Sequence, residues 1–161
     1  RTPDDHSGGI VRNNFIFRRS TVAGDNAIGV FDSPNTQVLH NTILSSRTYP
    51  SLIEYRFTGT RNGVIAGNLL DGTVLARDGA TGTVTGNVTA AASAMFEDPA
   101  NGNLRLRATA VAAIDTVPVA AGCPLDWEGD PRPHGTAADA GADEYRAAVL
   151  SAPRNVRIAS D

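Results

Sequence analysis

Apolar and polar positions alternate in short runs through the first ninety or so residues, and the runs recur. IVRNNFIF (10–17), VLHNTILS (38–45), VIAGNLLD (64–71) and TVTGNVTA (83–90) each set a β-branched residue, two spacers, an asparagine and a mostly apolar pair. The asparagines are Asn14, Asn41, Asn68 and Asn87, so the steps are 27, 27 and 19 residues. A period in this range is the signature of a stacked repeat, in which no unit buries its apolar face alone and neighbours complete the core.

A shift of 27 lays Val11 over Val38 and Ile65, Ile16 over Ile43 and Leu70, Ile28 over Tyr55 and Val30 over Phe57. A shift of 19 carries Ile65 to Val84, Tyr55 to Val74 and Phe57 to Ala76, which places the shortening between Asn68 and Val74, in one variable connection. Each repeat is predicted to hold at least two short strands, separated by turns such as DSPNT (32–36), TGTRNG (58–63) and DGATG (78–82), rich in the residues that turn chemistry selects. Equivalent positions on stacked strands lie about 4.8 Å apart. A column of asparagines at that spacing can pass amide hydrogen bonds from repeat to repeat. Asn14, Asn41, Asn68 and Asn87 are therefore read as a structural ladder.

Composition supports this reading. Gly, Thr, Asn and Val are plentiful and aromatics make up 6% of the chain, as suits short strands and tight turns better than packed helices. All 14 basic residues are arginine, so no lysine can act as a base or a Schiff-base amine. The net charge is −3 and the arginines are scattered. This lacks the basic face with stacking aromatics that nucleic acid requires. No apolar run reaches the roughly 18 residues of a membrane span. The single cysteine, Cys123, excludes an internal disulfide and leaves its role open. Arg1 stands where a methionine would begin a primary translation product, so the chain is expected to be a processed or excised piece.

The V-x-x-N strands and DSPNTQVLHNTIL resemble the right-handed parallel β-helix superfamily, the pectate-lyase-like fold. FEDPANGNLRLRATAVAAID followed by DWEGDPRPHGTAADAGADEY resembles the closing segment of secreted bacterial members. The resemblance spans residues 8 to 145 and implies an all-β parallel β-helix (β-solenoid). Residues 1–94 would be its last three or so coils, 95–146 a loop-rich C-terminal cap closing the stack, and 147–161 a linker. SAPRNVRIAS within that linker is similar to the opening strand of a fibronectin type III module. The resemblance further implies a secreted or cell-surface protein that binds or processes polysaccharide, as a lyase or hydrolase would. Its main catalytic residues would lie upstream of Arg1. The same fold also serves non-catalytic surface, adhesive and filament modules.

Candidate chemistry follows from the alternation. With Ile28, Val30, Tyr55, Phe57, Val74 and Ala76 inward, Glu54, Arg56 and Arg77 face outward, and Asp32 and Asp78 occupy equivalent bends. Guanidinium groups suit a uronate carboxylate, and carboxylates suit acid–base work on a glycosidic bond. The competing reading is a solvated face of cross-strand ion pairs. A weaker group comprises Asp5 and His6, beside Asp4, with His40 one repeat above Asn13. Neither set has the spacing of a metal motif. DWEGDPRPHGTAADAGADE lacks the calcium-loop pattern, so its carboxylates are read as turn and capping groups; no cofactor is expected, with calcium left open but without a motif behind it. The first repeat leaves a strand edge and the apolar Val11 and Ile16 uncovered, which calls for an upstream segment or another copy at the N-terminal edge.

Overall fold

The computed structural model describes residues 4–19 and 21–147. The linker, apart from Ala147, lies outside the described residues, as do Arg1, Thr2 and Pro3. The chain is all-β, and its core is built from three parallel sheets.

The first sheet holds β1 (Ile10–Arg12), β4 (Gln37–Leu39), β7 (Gly63–Ala66) and β10 (Gly82–Thr85), paired in that order. The second holds β2 (Phe15–Phe17), β5 (Thr42–Leu44) and β8 (Leu69–Leu70), and the third β3 (Ile28–Phe31), β6 (Ile53–Arg56) and β9 (Val74–Arg77). Each of the first three repeats thus contributes three strands, one to each sheet, where the sequence pattern required at least two, and the fourth contributes β10 alone. Val38 pairs with Val11 and Ile65, and Ile43 with Ile16 and Leu70, as the 27-residue shift expects.

The third sheet departs from that shift. Ile28 pairs with Ile53 and Val30 with Tyr55, a step of 25, and Tyr55 pairs with Ala76, a step of 21. Two connections vary in length, not one. Between the first two repeats the loop before the third strand shortens by two residues (18–27 against 45–52), and the turn after it lengthens by two, so the period of 27 conceals both changes. Because the slip is an even number of residues, the inward and outward faces are preserved. Phe57 is displaced from its expected inward place to a corner at φ 69, equivalent to Asp32 (φ 44) and Asp78 (φ 50).

The corner between the first and second sheets is made the same way in every repeat. Asn13, His40, Gly67 and Gly86 all take the left-handed conformation, at φ 56, 46, 67 and 59. Asn and Gly tolerate this region best. Gly67 is required twice over, since a Cβ there would meet the His40 ring at 2.6 Å. The ladder asparagine follows at once.

Ile28, Val30, Val38, Ile43, Leu52, Ile53, Ile65 and Leu70 are buried between the three sheets. Each such side chain contributes about 1.5–3 kcal/mol on burial.

Residues 95–146 do not close the end of the stack at β10, which is exposed along its whole length. They lie along the outer faces instead. A two-stranded antiparallel unit, β11 (Phe96–Asp98) and β12 (Asn103–Leu106), sets Phe96, Leu104 and Leu106 in a second core. That core includes Leu44 and Leu69, with Phe15 and Phe17 packed against it. These residues alternate with the inward ones on the second sheet, so both faces of that sheet are apolar. A sheet covered on both sides reads as a continuous apolar run, as FIF (15–17) and LL (69–70) do.

Candidate functional site

Alternation along the third sheet puts Gly29, Glu54 and Leu75 in one outward row and Phe31, Arg56 and Arg77 in the next. The structure brings four of the five candidate residues into direct pairs. Arg77 donates to Glu54 Oε2 at 3.3 Å, and Arg56 donates through Nε to Asp78. The hydrogen bond from Arg56 to Asp78 holds the guanidinium pKa above its ordinary value. Asp32 enters through its backbone: its N–H donates to Arg56 O at 3.3 Å, and its carbonyl accepts from Asp5 N at 2.8 Å.

Glu54 is only 2% exposed although its strand position faces outward. Its neighbour in register is Gly29, where a Cβ would meet the Phe31 ring at 2.9 Å and Asn26 Oδ1 at 3.1 Å. Phe31 thus leans across the glycine, and its ring meets Phe57 edge-on at 6.0 Å. The Arg56 guanidinium lies 4.7 Å from the centre of the Phe57 ring. The surface therefore combines two aromatic rings, two guanidinium groups and two carboxylates across three consecutive strands. Sequence reasoning missed both rings, because the register slip hid Phe57 and the 27-residue shift gave Phe31 no counterpart.

The weaker candidates divide. Asp4 and Arg61 form a two-point ion pair at 2.9 and 3.2 Å, and that hydrogen bonding lowers the Asp4 pKa. The His6 ring covers Gly9, and Asp5 is tied through its backbone to Asp32.

His40 is not a surface group at all. It is fully buried where the stack meets the outer segment. Nδ1 lies 3.1 Å from Asp139 O, and Nε2 accepts from Ala120 N at 3.4 Å. This pairing requires the neutral ring with its proton on Nδ1. Burial, and then the nearby Arg132 charge, lower its pKa to about 4.

The asparagines form a chain of amide bonds. Asn14 Nδ2 donates to Asn41 Oδ1 at 2.8 Å, Asn41 Nδ2 to Asn68 Oδ1 at 3.0 Å, and Asn68 Nδ2 to Asn87 Oδ1 at 2.8 Å. Each accepting oxygen also takes the backbone N–H of the asparagine that bonds it.

The carboxylates of the C-terminal segment satisfy backbone donors. Asp126 accepts from Glu128, Asp130 and Glu144 N–H, Asp143 from Leu106 N and Trp127 Nε1, and Asp139 from Asp115 N and Tyr145 N. Burial raises the pKa of Asp139 to about 6 and raises that of Asp143, against those donors. At their centre Arg132 pairs with Glu144 at 2.8 Å, both wholly buried. Its guanidinium also donates to the carbonyls of Asp139, Gly141 and Ala142. The R-P and D-x-G-x-x-E pattern of the sequence is thus a folding lock. Gly141, at φ 99, lets this segment approach until its N–H reaches Gly67 O at 2.8 Å, and a Cβ there would strike Thr42 Oγ1.

Cys123 is buried with its Sγ 3.1 Å from Asn13 Oδ1, and burial raises the thiol pKa. Among the described residues, no three His, Cys, Asp or Glu converge as a metal would need, and no helix is long and apolar enough to cross a membrane. No family model, curated protein or solved structure matches the chain.

Proposed function

We propose that the chain is a run of coils from a right-handed parallel β-helix of the pectate-lyase-like kind, part of a secreted or cell-surface protein. On this reading the outer face of the third sheet binds polysaccharide. One observation carries it: Phe31, Phe57, Arg56 and Arg77 lie on one surface with Glu54 and Asp78 as their polar partners. Aromatic ring faces take the C–H faces of sugars, and guanidinium groups exchange a side-chain carboxylate for a uronate bidentately. The role is recognition. Glu54 and Asp78 are the resting partners of the guanidinium groups, and acid–base chemistry on a bound chain is assigned to residues outside this surface. No cofactor is called for.

The same pairing favours a second reading, a non-catalytic module whose service is shape. In that case the charged rows simply keep the outer face soluble. Titration of the chain with uronate and neutral oligosaccharides, followed by amide chemical shifts, separates the two. Glycan binding should move Glu54, Arg56, Arg77 and Asp78, and Arg56→Ala should weaken it. Shifts elsewhere, or none, would leave only the shape role. New ultraviolet absorbance from unsaturated ends would instead assign lyase activity to the chain.

A further inference from the structure

β10 is the last strand of the first sheet; beyond it the chain turns at Gly86 and continues onto the second sheet, where Val88 pairs with Leu69 in parallel. All four β10 residues are exposed, Val84 at 45%. Thr85 O accepts from Gly67 N at 3.3 Å, on the β7 side. In a parallel strand a residue turns its N–H and C=O to the same neighbour, and successive residues alternate. Thr83 and Thr85 therefore serve β7, and the N–H and C=O of Val84 point away from it. The segment Gly82–Thr85 carries no charge, proline or bulge, the devices that blunt a strand edge.

We propose that this edge is an interface with a second copy of this chain, joined tail to tail about a two-fold axis at Val84. The edge is complementary to itself. A two-fold axis normal to the sheet keeps outer faces together only if it passes through a residue, and Val84 is the β10 residue with both backbone groups free and neighbours on either side. Antiparallel pairing about it lets each Val84 give its N–H to the carbonyl of the other, the narrow hydrogen-bonded pair. Thr83 then stands opposite Thr85 of the second copy on the outer face, a favourable cross-strand pair.

On the inner face, Val84 follows Ile65 and Val38 in register. The two Val84 side chains therefore meet where one apolar interior runs into the other, covering the exposed or half-buried Val74 and Ala76 at the end of β9. A contact between identical patches closes at two copies and cannot grow into a fibre. It uses nothing at the β1 edge, and it does not depend on any glycan reading.

Sedimentation equilibrium of the full chain should show a reversible dimer. Val84→Arg should abolish it and leave the far-ultraviolet circular dichroism unchanged. In a Cys123→Ala background, oxidation of a mixture of Thr83→Cys and Thr85→Cys chains should give the mixed disulfide in excess over either like pair. That pattern decides the matter even if Val84→Arg fails to fold. A monomer at millimolar concentration, a folded Val84→Arg chain of unchanged mass, or disulfides formed at random would overturn the proposal.

Discussion

Asn41 gives both its side-chain amide and its backbone N–H to one oxygen, Asn68 Oδ1, at 3.0 and 2.9 Å. Asn41 Nδ2 also reaches back to Val11 O at 3.0 Å and to Leu39 O at 3.2 Å. The residue therefore joins three repeats at a corner where both asparagines are fully buried. Replacing Asn41 or Asn68 by leucine removes several bonds and strands their partners. The expected loss is about 1–3 kcal/mol for each group left unsatisfied. Asn87→Leu should cost less, since Asn87 sits at the half-buried end of the column. Urea melts of the three variants check the ranking.

Arg132 and Glu144 form a buried pair whose guanidinium also holds three carbonyls. Arg132→Met leaves Glu144 charged and enclosed, a change expected to cost about 3–5 kcal/mol. The loss should appear first in the outer segment. Hydrogen exchange at Trp127 and Ala142 should rise by a larger factor than exchange at Val38 or Ile43.

The acid response has two opposed parts. His40 falls to about 4 in the fold from its ordinary 6.5. Between those values the unfolded chain takes a proton that the folded chain refuses, so this group lowers stability as pH falls. Asp139 rises to about 6 from 3.8. Its folded form keeps a proton that the unfolded form has released, so this group lowers stability as pH rises through that window. Between pH 4 and 6 the two oppose each other. Relative to wild type, Asp139→Asn should therefore become less stable toward acid and His40→Asn less stable toward neutrality. Each difference should reach about 3 kcal/mol across the window. Chemical denaturation at several pH values reads both slopes.

Gly67 is a third sensitive point. Its φ of 67 and the His40 ring 2.6 Å from the place of a Cβ make Gly67→Ala unfavourable by strain and by clash together. About 1–3 kcal/mol is expected from the backbone alone. Gly129, also at positive φ but with open space around it, should show the smaller loss on the same change in a thermal melt.

The parallel sheets and the ladder were legible because one apolar residue per strand recurs at a fixed distance from an asparagine. The third sheet was legible only in its alternation. Its register depends on two loop lengths that offset each other between the first two repeats, and a period carries their sum and not the parts. Phe57 was lost for that reason. Glu54 was correctly sent outward, yet its burial depends on Phe31 crossing Gly29, a side-chain event with no trace in spacing. His40 falls at the corner position also held by Asn13 and Gly67, and it reads as a surface histidine until the outer segment covers it. That covering was the largest gap. A loop-rich tail with many carboxylates has no periodicity, so nothing in it distinguishes a lid over the end from a layer along the side.

That lateral layer changes how the molecule can come apart. Arg12 donates to Gly122 O and Asn13 to Leu125 O in the first repeat, Ala142 N to Thr42 Oγ1 in the second, and Gly141 N to Gly67 O in the third, while in the fourth Val117 lies 3.5 Å from where a Cβ on Gly86 would stand. An array bound only by nearest neighbours frays from its ends, one unit at a time. Here a single stretch of about 25 residues spans all four units like a splint. Peeling off a terminal repeat must also lift the splint, and lifting the splint exposes its own buried Cys123, Ala138 and Ala140. Melting should then be a single all-or-none event, and a pulling force on either end should meet one high barrier where an unbraced array would give a series of small steps.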